Sequence, residues 1–232
     1  MPRRARLSVP GIPWHIIQRG NNRSACFFAD DDYQFYLDVL KEQAKKFVCD
    51  IHAYVLMTNH VHLLITPKKG DSAALLMKNL GQRYVQYINR TYKRSGTLWE
   101  GRFRSCLTQS EDYVLACYRY IELNPVRADM VKHPRQYKWS NYCANAEGRK
   151  NEILTPHEQY LRIARNDASR RKGYRALFNA HVDQNVDDQI REATNGNFVL
   201  GNSRFQEEIE QVLGKRVTKG VVGRPKKIKY ER

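Results

Sequence analysis

The stretch that most limits how this chain can fold runs from residue 51 to residue 66, where two period-two runs flank the dipeptide Thr58-Asn59. Two such runs joined by a two-residue turn form a β-hairpin. Side chains alternate across a strand, so Val61, Leu63 and Ile65 share one face and His60, His62 and Leu64 the other. The two imidazoles are then neighbours with Cα atoms roughly 7 Å apart, a spacing that lets two neutral histidines close on one divalent cation. The plainer alternative is a half-buried pair hydrogen-bonded to backbone or solvent.

The remaining elements are placed around this hairpin. Residues 14–18 form a strand candidate running into the polar turn Arg19, Gly20, Asn21, Asn22. Asp30 to Asp32 offer an N-cap for a helix through Tyr33, Tyr36, Leu37, Leu40 and Ala44. Pro67 to Asp71 reads as a loop, and Ser72 as the cap of a long helix through Leu76, Leu80, Tyr84 and Ile88 that ends before Gly96. Residues 97–108 are expected to be a strand. A further helix opens at Glu111 and must stop near Asn124, because Pro125 pushes its predecessor out of helical geometry. The order β-α-β-β-α-β followed by α predicts an α+β fold, a ferredoxin-like antiparallel βαββαβ sheet with an appended helix.

Composition sets the partner class. The 232 residues carry a formal net charge of +16, which attracts a polyanion, nucleic acid first and an acidic membrane surface second. No run is long and apolar enough for a membrane span, and residues 1–11 lack the apolar core of a signal peptide, so a cytoplasmic, nucleoid-associated location is expected. The five cysteines, odd in number and without a CxxC pair, are read as reduced and structural. The organisation is read as a catalytic domain over 1–145, a helical accessory domain over 150–214 with a helix-turn-helix-like pair (186–193 and 203–213), and a basic tail over 215–232. That tail holds eight basic residues against the single acid Glu231.

The helix over 112–124 is rich in tyrosine, and residues four apart share a face, so Tyr120 and Asn124 can present a phenol and an amide oxygen to one point. A phenol with a pKa of roughly 10 attacks a phosphodiester only with help, and a cation at His60 and His62 would supply it by drawing charge off the non-bridging oxygens. Spacing alone does not single out this pair. Tyr118 and Glu122 are also four apart and a carboxylate suits a hard cation better, while Tyr113 lies one to two turns earlier.

His60-Val61-His62, then Trp99-Glu100-Gly101-Arg102-Phe103-Arg104, then Tyr120-Ile121-Glu122-Leu123-Asn124-Pro125-Val126-Arg127 resemble, in this order, the IS200-like Y1 transposases, and within them the REP-associated tyrosine transposases. The resemblance covers about residues 6 to 130. It implies metal-dependent nicking and strand transfer on single-stranded DNA hairpins of REP type, through a 5′-phosphotyrosine intermediate and with Mg²⁺ or Mn²⁺ as cofactor. By position it puts the nucleophile on Tyr120 and the ligands on His60, His62 and Asn124. A non-catalytic DNA-binding descendant, an RNA-binding module and a relaxase or replication initiator are the competing readings, and monomer and homodimer both stay open.

Candidate DNA contacts complete the expectation. His15 on the first strand could touch phosphate or stay structural, and Arg19 and Asn22 sit in a loop suited to phosphate or bases. Arg83, Arg94, Arg102 and Arg104 surround the site in sequence and are expected to line a channel. Arg224 and Lys226 lie in a Gly-Arg-Pro-Lys-Lys segment resembling the core of a minor-groove-binding AT-hook.

Overall fold

The computed structural model describes residues 6–179 and 184–220. Their elements run β1 (Trp14–Arg19), α1 (Asp30–Lys46), β2 (Cys49–Met57), β3 (His60–Pro67), α2 (Ser72–Thr91), β4 (Arg104–Thr108) and α3 (Ser110–Glu122). The one-turn α4 (Asn124–Arg127) and the short α5 (Tyr142–Glu147) and α6 (Glu158–Leu161) follow. Then come α7 (Asp167–Asn179), α8 (Gln184–Gly196), β5 (Val199–Leu200) and α9 (Ser203–Leu213).

The sheet has the order β2-β3-β1-β4-β5, and its first four strands are antiparallel, as the ferredoxin-like reading predicts. The fifth strand departs from it: the two residues of β5 pair parallel to β4, so the sheet is mixed. The hairpin closes in the expected register, with Met57 opposite His60 across Thr58-Asn59. One face packs Trp14, Ile16, Val61, Leu63 and Ile65 against Tyr36 and Leu40 of α1 and Leu80 and Tyr84 of α2. The other face packs Ala53, Val55 and Leu64 against Val114, Cys117 and Ile121 of α3, together with Tyr160, Tyr174 and Ile190 from the C-terminal helices. Each such aliphatic side chain contributes on the order of 1.5–3 kcal/mol of burial.

Two local expectations are corrected. The strand expected over 97–108 forms only from Arg104, because Gly96 (φ 84°) and Gly101 (φ 131°) take backbone conformations no strand can hold; before β4 only the isolated bridge of Trp99 to Gly20 remains. The connector between the last two helices contains β5 rather than a bare turn. Of the capping residues expected over Asp30 to Asp32, Asp32 makes the cap, reaching back past Ala29 at the N-cap position. Asp32 Oδ2 accepts from the backbone N–H groups of Phe28 (2.7 Å) and Ala29 (3.0 Å) and from the Tyr92 hydroxyl (2.9 Å). All five cysteines are buried and free, and no helix among the described residues is long and apolar enough to cross a membrane.

Candidate active site

β3 and α3 meet on the face opposite α1 and α2. Tyr120 is 6 % exposed, its ring centroid 5.8 Å from His62 and 5.6 Å from His15, both edge-on. His60 and His62 lie 5.1 Å apart, as the strand alternation requires. The Arg127 guanidinium of α4 lies 4.3 Å from the Tyr120 ring centroid and donates to the Tyr120 carbonyl and, at 3.0 Å, to the buried carboxylate of Asp187 on α8.

A chain of hydrogen bonds fixes which nitrogens remain open. The single Thr194 hydroxyl proton goes to the Ile190 carbonyl (2.7 Å), so Thr194 Oγ1 accepts from His15 Nδ1 at 2.8 Å. His15 Nε2 is then the acceptor in its 2.9 Å bond with His62, and His62 Nδ1 carries the proton. His60 Nδ1 likewise donates to Asn59 Oδ1 at 2.6 Å. Both clamp imidazoles therefore keep their Nε2 lone pairs free, oriented by partners behind them as metal-binding histidines usually are. Burial holds all three rings neutral, lowering His15 to about 3, His60 to about 4 and His62 well below its ordinary value, with neighbouring positive groups adding to the effect. Neutral imidazole is the form that ligates.

The donor set fits a divalent cation at His60 and His62. Among the described residues no third His, Cys, Asp or Glu converges there, so further ligands would be amide, water or phosphate oxygens. Asn124 donates through Nδ2 to the carbonyls of Tyr120 (2.9 Å) and Ile121 (3.2 Å), which ties it to the end of α3. No contact among the described residues joins it to either histidine.

The competing tyrosines point elsewhere. Tyr118 is fully buried against Tyr160 and Tyr174, and its hydroxyl accepts from the His157 backbone. Glu122 is enclosed too, accepting from Tyr174 (2.8 Å), Asn141 (2.6 Å) and Asn145 (3.2 Å), with burial pushing its carboxyl up to about 8. Tyr113 binds Gln189.

Of the expected DNA contacts, Arg19 sits opposite His60 in the sheet and its charge depresses both clamp histidines. Asn22 is exposed in the adjoining turn, and Arg104 contacts Asn195 at 3.0 Å on the far side of β1. Arg102 is exposed just before β4, and Arg94 lies 5.6 Å from the Phe28 ring at the end of α2. Of the two readings of His15, the structural one fits its place: it is 1 % exposed, with one ring nitrogen engaged by Thr194 and the other by His62. Arg83 pairs with Glu42 of α1 at 2.5 Å on the side of α2 that faces α1. Arg224 and Lys226 lie outside the described residues.

Sequence reasoning missed Arg127, Asp187 and Thr194. Arg127, seven residues after Tyr120, falls on nearly the same helical face and could have been found by spacing. Thr194 is 179 residues from His15, and no local signal marks it.

The sequence profile described as "Transposase IS200 like" matches residues 8–124, half of the chain, and sets a DNA-processing class. This chain belongs to the IS200-like transposase family. Among solved structures, that of a REP-associated tyrosine transposase bound to a REP hairpin superposes with a TM-score of 0.55, covering 68 % of this chain and 93 % of that one at 18 % identity, a likeness of fold. A candidate transposase from Deinococcus radiodurans R1 matches with a TM-score of 0.36 and 21 % identity, covering 56 % of this chain and 92 % of that one. No curated protein sequence matches.

Proposed function

We propose that this transposase nicks and rejoins single-stranded DNA beside hairpin-forming, REP-like sequences, with Tyr120 as nucleophile and His60 and His62 holding Mg²⁺ or Mn²⁺. The observation that carries this reading is the approach of the Tyr120 ring to within 5.8 Å of His62, whose Nε2 lone pair is free. A cation held there would draw charge off the non-bridging oxygens of the scissile phosphate. Tyr120 Oη attacks phosphorus, the bond to the 3′ oxygen breaks, and the products are a 5′-phosphotyrosine and a free 3′-hydroxyl. Attack by another 3′-hydroxyl reverses the step; one phosphodiester replaces another, so rejoining needs no ATP.

Other residues hold the strand in this reading. Arg19, beside His60, anchors the phosphate next to the cut, while Asn22, Arg102 and Arg104 extend the contact along the backbone. Asn124, one turn beyond Tyr120, offers its Oδ1 as a third ligand. Arg127 fixes the tyrosine ring from behind. The protein would act where chromosomal DNA becomes single-stranded, in the cytoplasm at the nucleoid.

The test is incubation of the full chain with end-labelled DNA hairpins bearing single-stranded arms, with Mg²⁺ or with EDTA. The expected result is a metal-dependent cut leaving a free 3′-hydroxyl on one fragment and protein on the other, absent in Tyr120→Phe. Tight binding of the hairpins with no cut in any metal would instead support a non-catalytic DNA-binding protein of the same descent.

A further inference from the structure

On the face of the sheet opposite Tyr120, a cavity of about 640 Å³ opens between α2 and the segment leading into β4. That size suits a small planar ligand with its flanking groups. Its wall carries two aromatic rings, Trp99 and Phe103, with the Arg6 guanidinium 3.7 Å from the Phe103 centroid. Gln18 and Trp99 line it as well, 7 % and 6 % exposed, and each has a buried polar atom without a protein partner: the acceptor Gln18 Oε1 and the donor Trp99 Nε1. An unpaired buried donor and acceptor are costly unless something completes them.

Charge and continuity narrow the occupant. Arg6 and Arg102 both line the cavity, and burial first and the charge of Arg102 second lower Arg6. The two share a second cavity of about 250 Å³ with Arg104 and Asn195, so one basic groove leads around the β4 end of the sheet. Arg104 and His62 flank the same residue, Ile17, on either side of β1. Arg104 therefore stands between the aromatic cavity and the side of the sheet that carries His62.

We propose that this cavity receives one unstacked base of the bound DNA single strand, with Gln18 and Trp99 meeting the base edge and Arg6 and Arg102 its flanking phosphates. The inference rests on the DNA-nicking reading and adds to it a base-reading site on the opposite face of the sheet. Aromatic and guanidinium planes stack with any base, and the donor and acceptor at the floor favour those with a complementary edge.

Gly81 of α2 provides the test. A Cβ there would meet only Trp99 Nε1 at 3.8 Å and Gln18 Nε2 at 3.9 Å, ordinary contact distances, so Gly81→Leu projects into the cavity while favouring the helix. Binding of oligo(dA), oligo(dT) and an abasic strand of equal length should be measured for the full-length wild type, Gly81→Leu and Trp99→Phe, with thermal melting to confirm folding. The wild type is expected to bind a base-bearing strand about 5- to 150-fold more tightly than the abasic one, the range of a single base stack. Gly81→Leu should lose that margin while binding the abasic strand as the wild type does. Trp99→Phe, which keeps a ring but removes the N–H, should lose part of it. A margin that survives Gly81→Leu overturns the proposal, as does a wild type that binds all three strands equally. A wild type that binds none of them but still binds the hairpins overturns this site and leaves the nicking reading standing, whereas one that binds neither removes both.

Discussion

Thr194 shows how a single hydroxyl can set the chemistry of a site. By spending its proton on Ile190 it fixes the tautomer of His15, and through it that of His62. Thr194→Val leaves His15 Nδ1–H buried without an acceptor and frees His62 to rotate. Mn²⁺ affinity, measured by titration, should fall about 10- to 100-fold, the usual cost of losing a partner behind a metal ligand. Unchanged affinity would mean that the relay does not orient the clamp. Glu122 supplies a pH prediction. Its folded pKa of about 8 lies above the ordinary 4.5, so its stabilising contribution is complete below about pH 4.5 and is lost as pH rises through about 8. Relative to Glu122→Gln, wild-type stability should decline across that window by up to about 1.4 kcal/mol per pH unit, read by urea melts at stepped pH. Parallel curves for the two proteins would show that Glu122 is already ionised. The sequence raised Glu122 as a ligand because glutamate suits a hard cation. Only packing shows it enclosed by Tyr174, Asn141 and Asn145, more than a dozen residues away in each case.

At the scale of elements, α8 carries what the sequence left unread. Its Asp187 holds Arg127, its Ile190 fills the core under α3, and its Thr194 bonds His15 behind His62, so in the proposed reading this helix beyond the matched family region supports the site. Ile190→Ala should destabilise the protein by about 2–5 kcal/mol and lower Mn²⁺ affinity with it; loss of stability with the affinity retained in the folded fraction would separate α8 from the clamp. The hairpin of β2 and β3 was legible because alternation and a two-residue turn are local properties. The strand expected over 97–103 failed because Leu98, Trp99 and Phe103 imitate strand composition while the adjacent glycines take left-handed backbone. The choice among tyrosines was not legible either. Tyr118 and Tyr120 are separated by about 200° around α3, and only the neighbouring sheet says which side is which.

For the whole molecule, strand order followed from element order, since β-α-β-β-α-β closes most simply as β2-β3-β1-β4. Its electrostatics follow from composition. With a net charge of +16, oligonucleotide binding should weaken steeply with salt, the slope of log K against log salt being about −0.7 per phosphate neutralised on a single strand. A flat salt dependence would remove phosphate contact as the main source of affinity. The central claim, that Tyr120 becomes the covalent link to DNA, has one direct measurement: tryptic mass mapping of the protein–DNA adduct. Cleavage after Arg119 and Arg127 releases residues 120–127 with Tyr120 as their sole tyrosine, while Tyr113 and Tyr118 fall together in residues 105–119. The account predicts the nucleotide mass on 120–127; its appearance on 105–119 would contradict the assignment of the nucleophile.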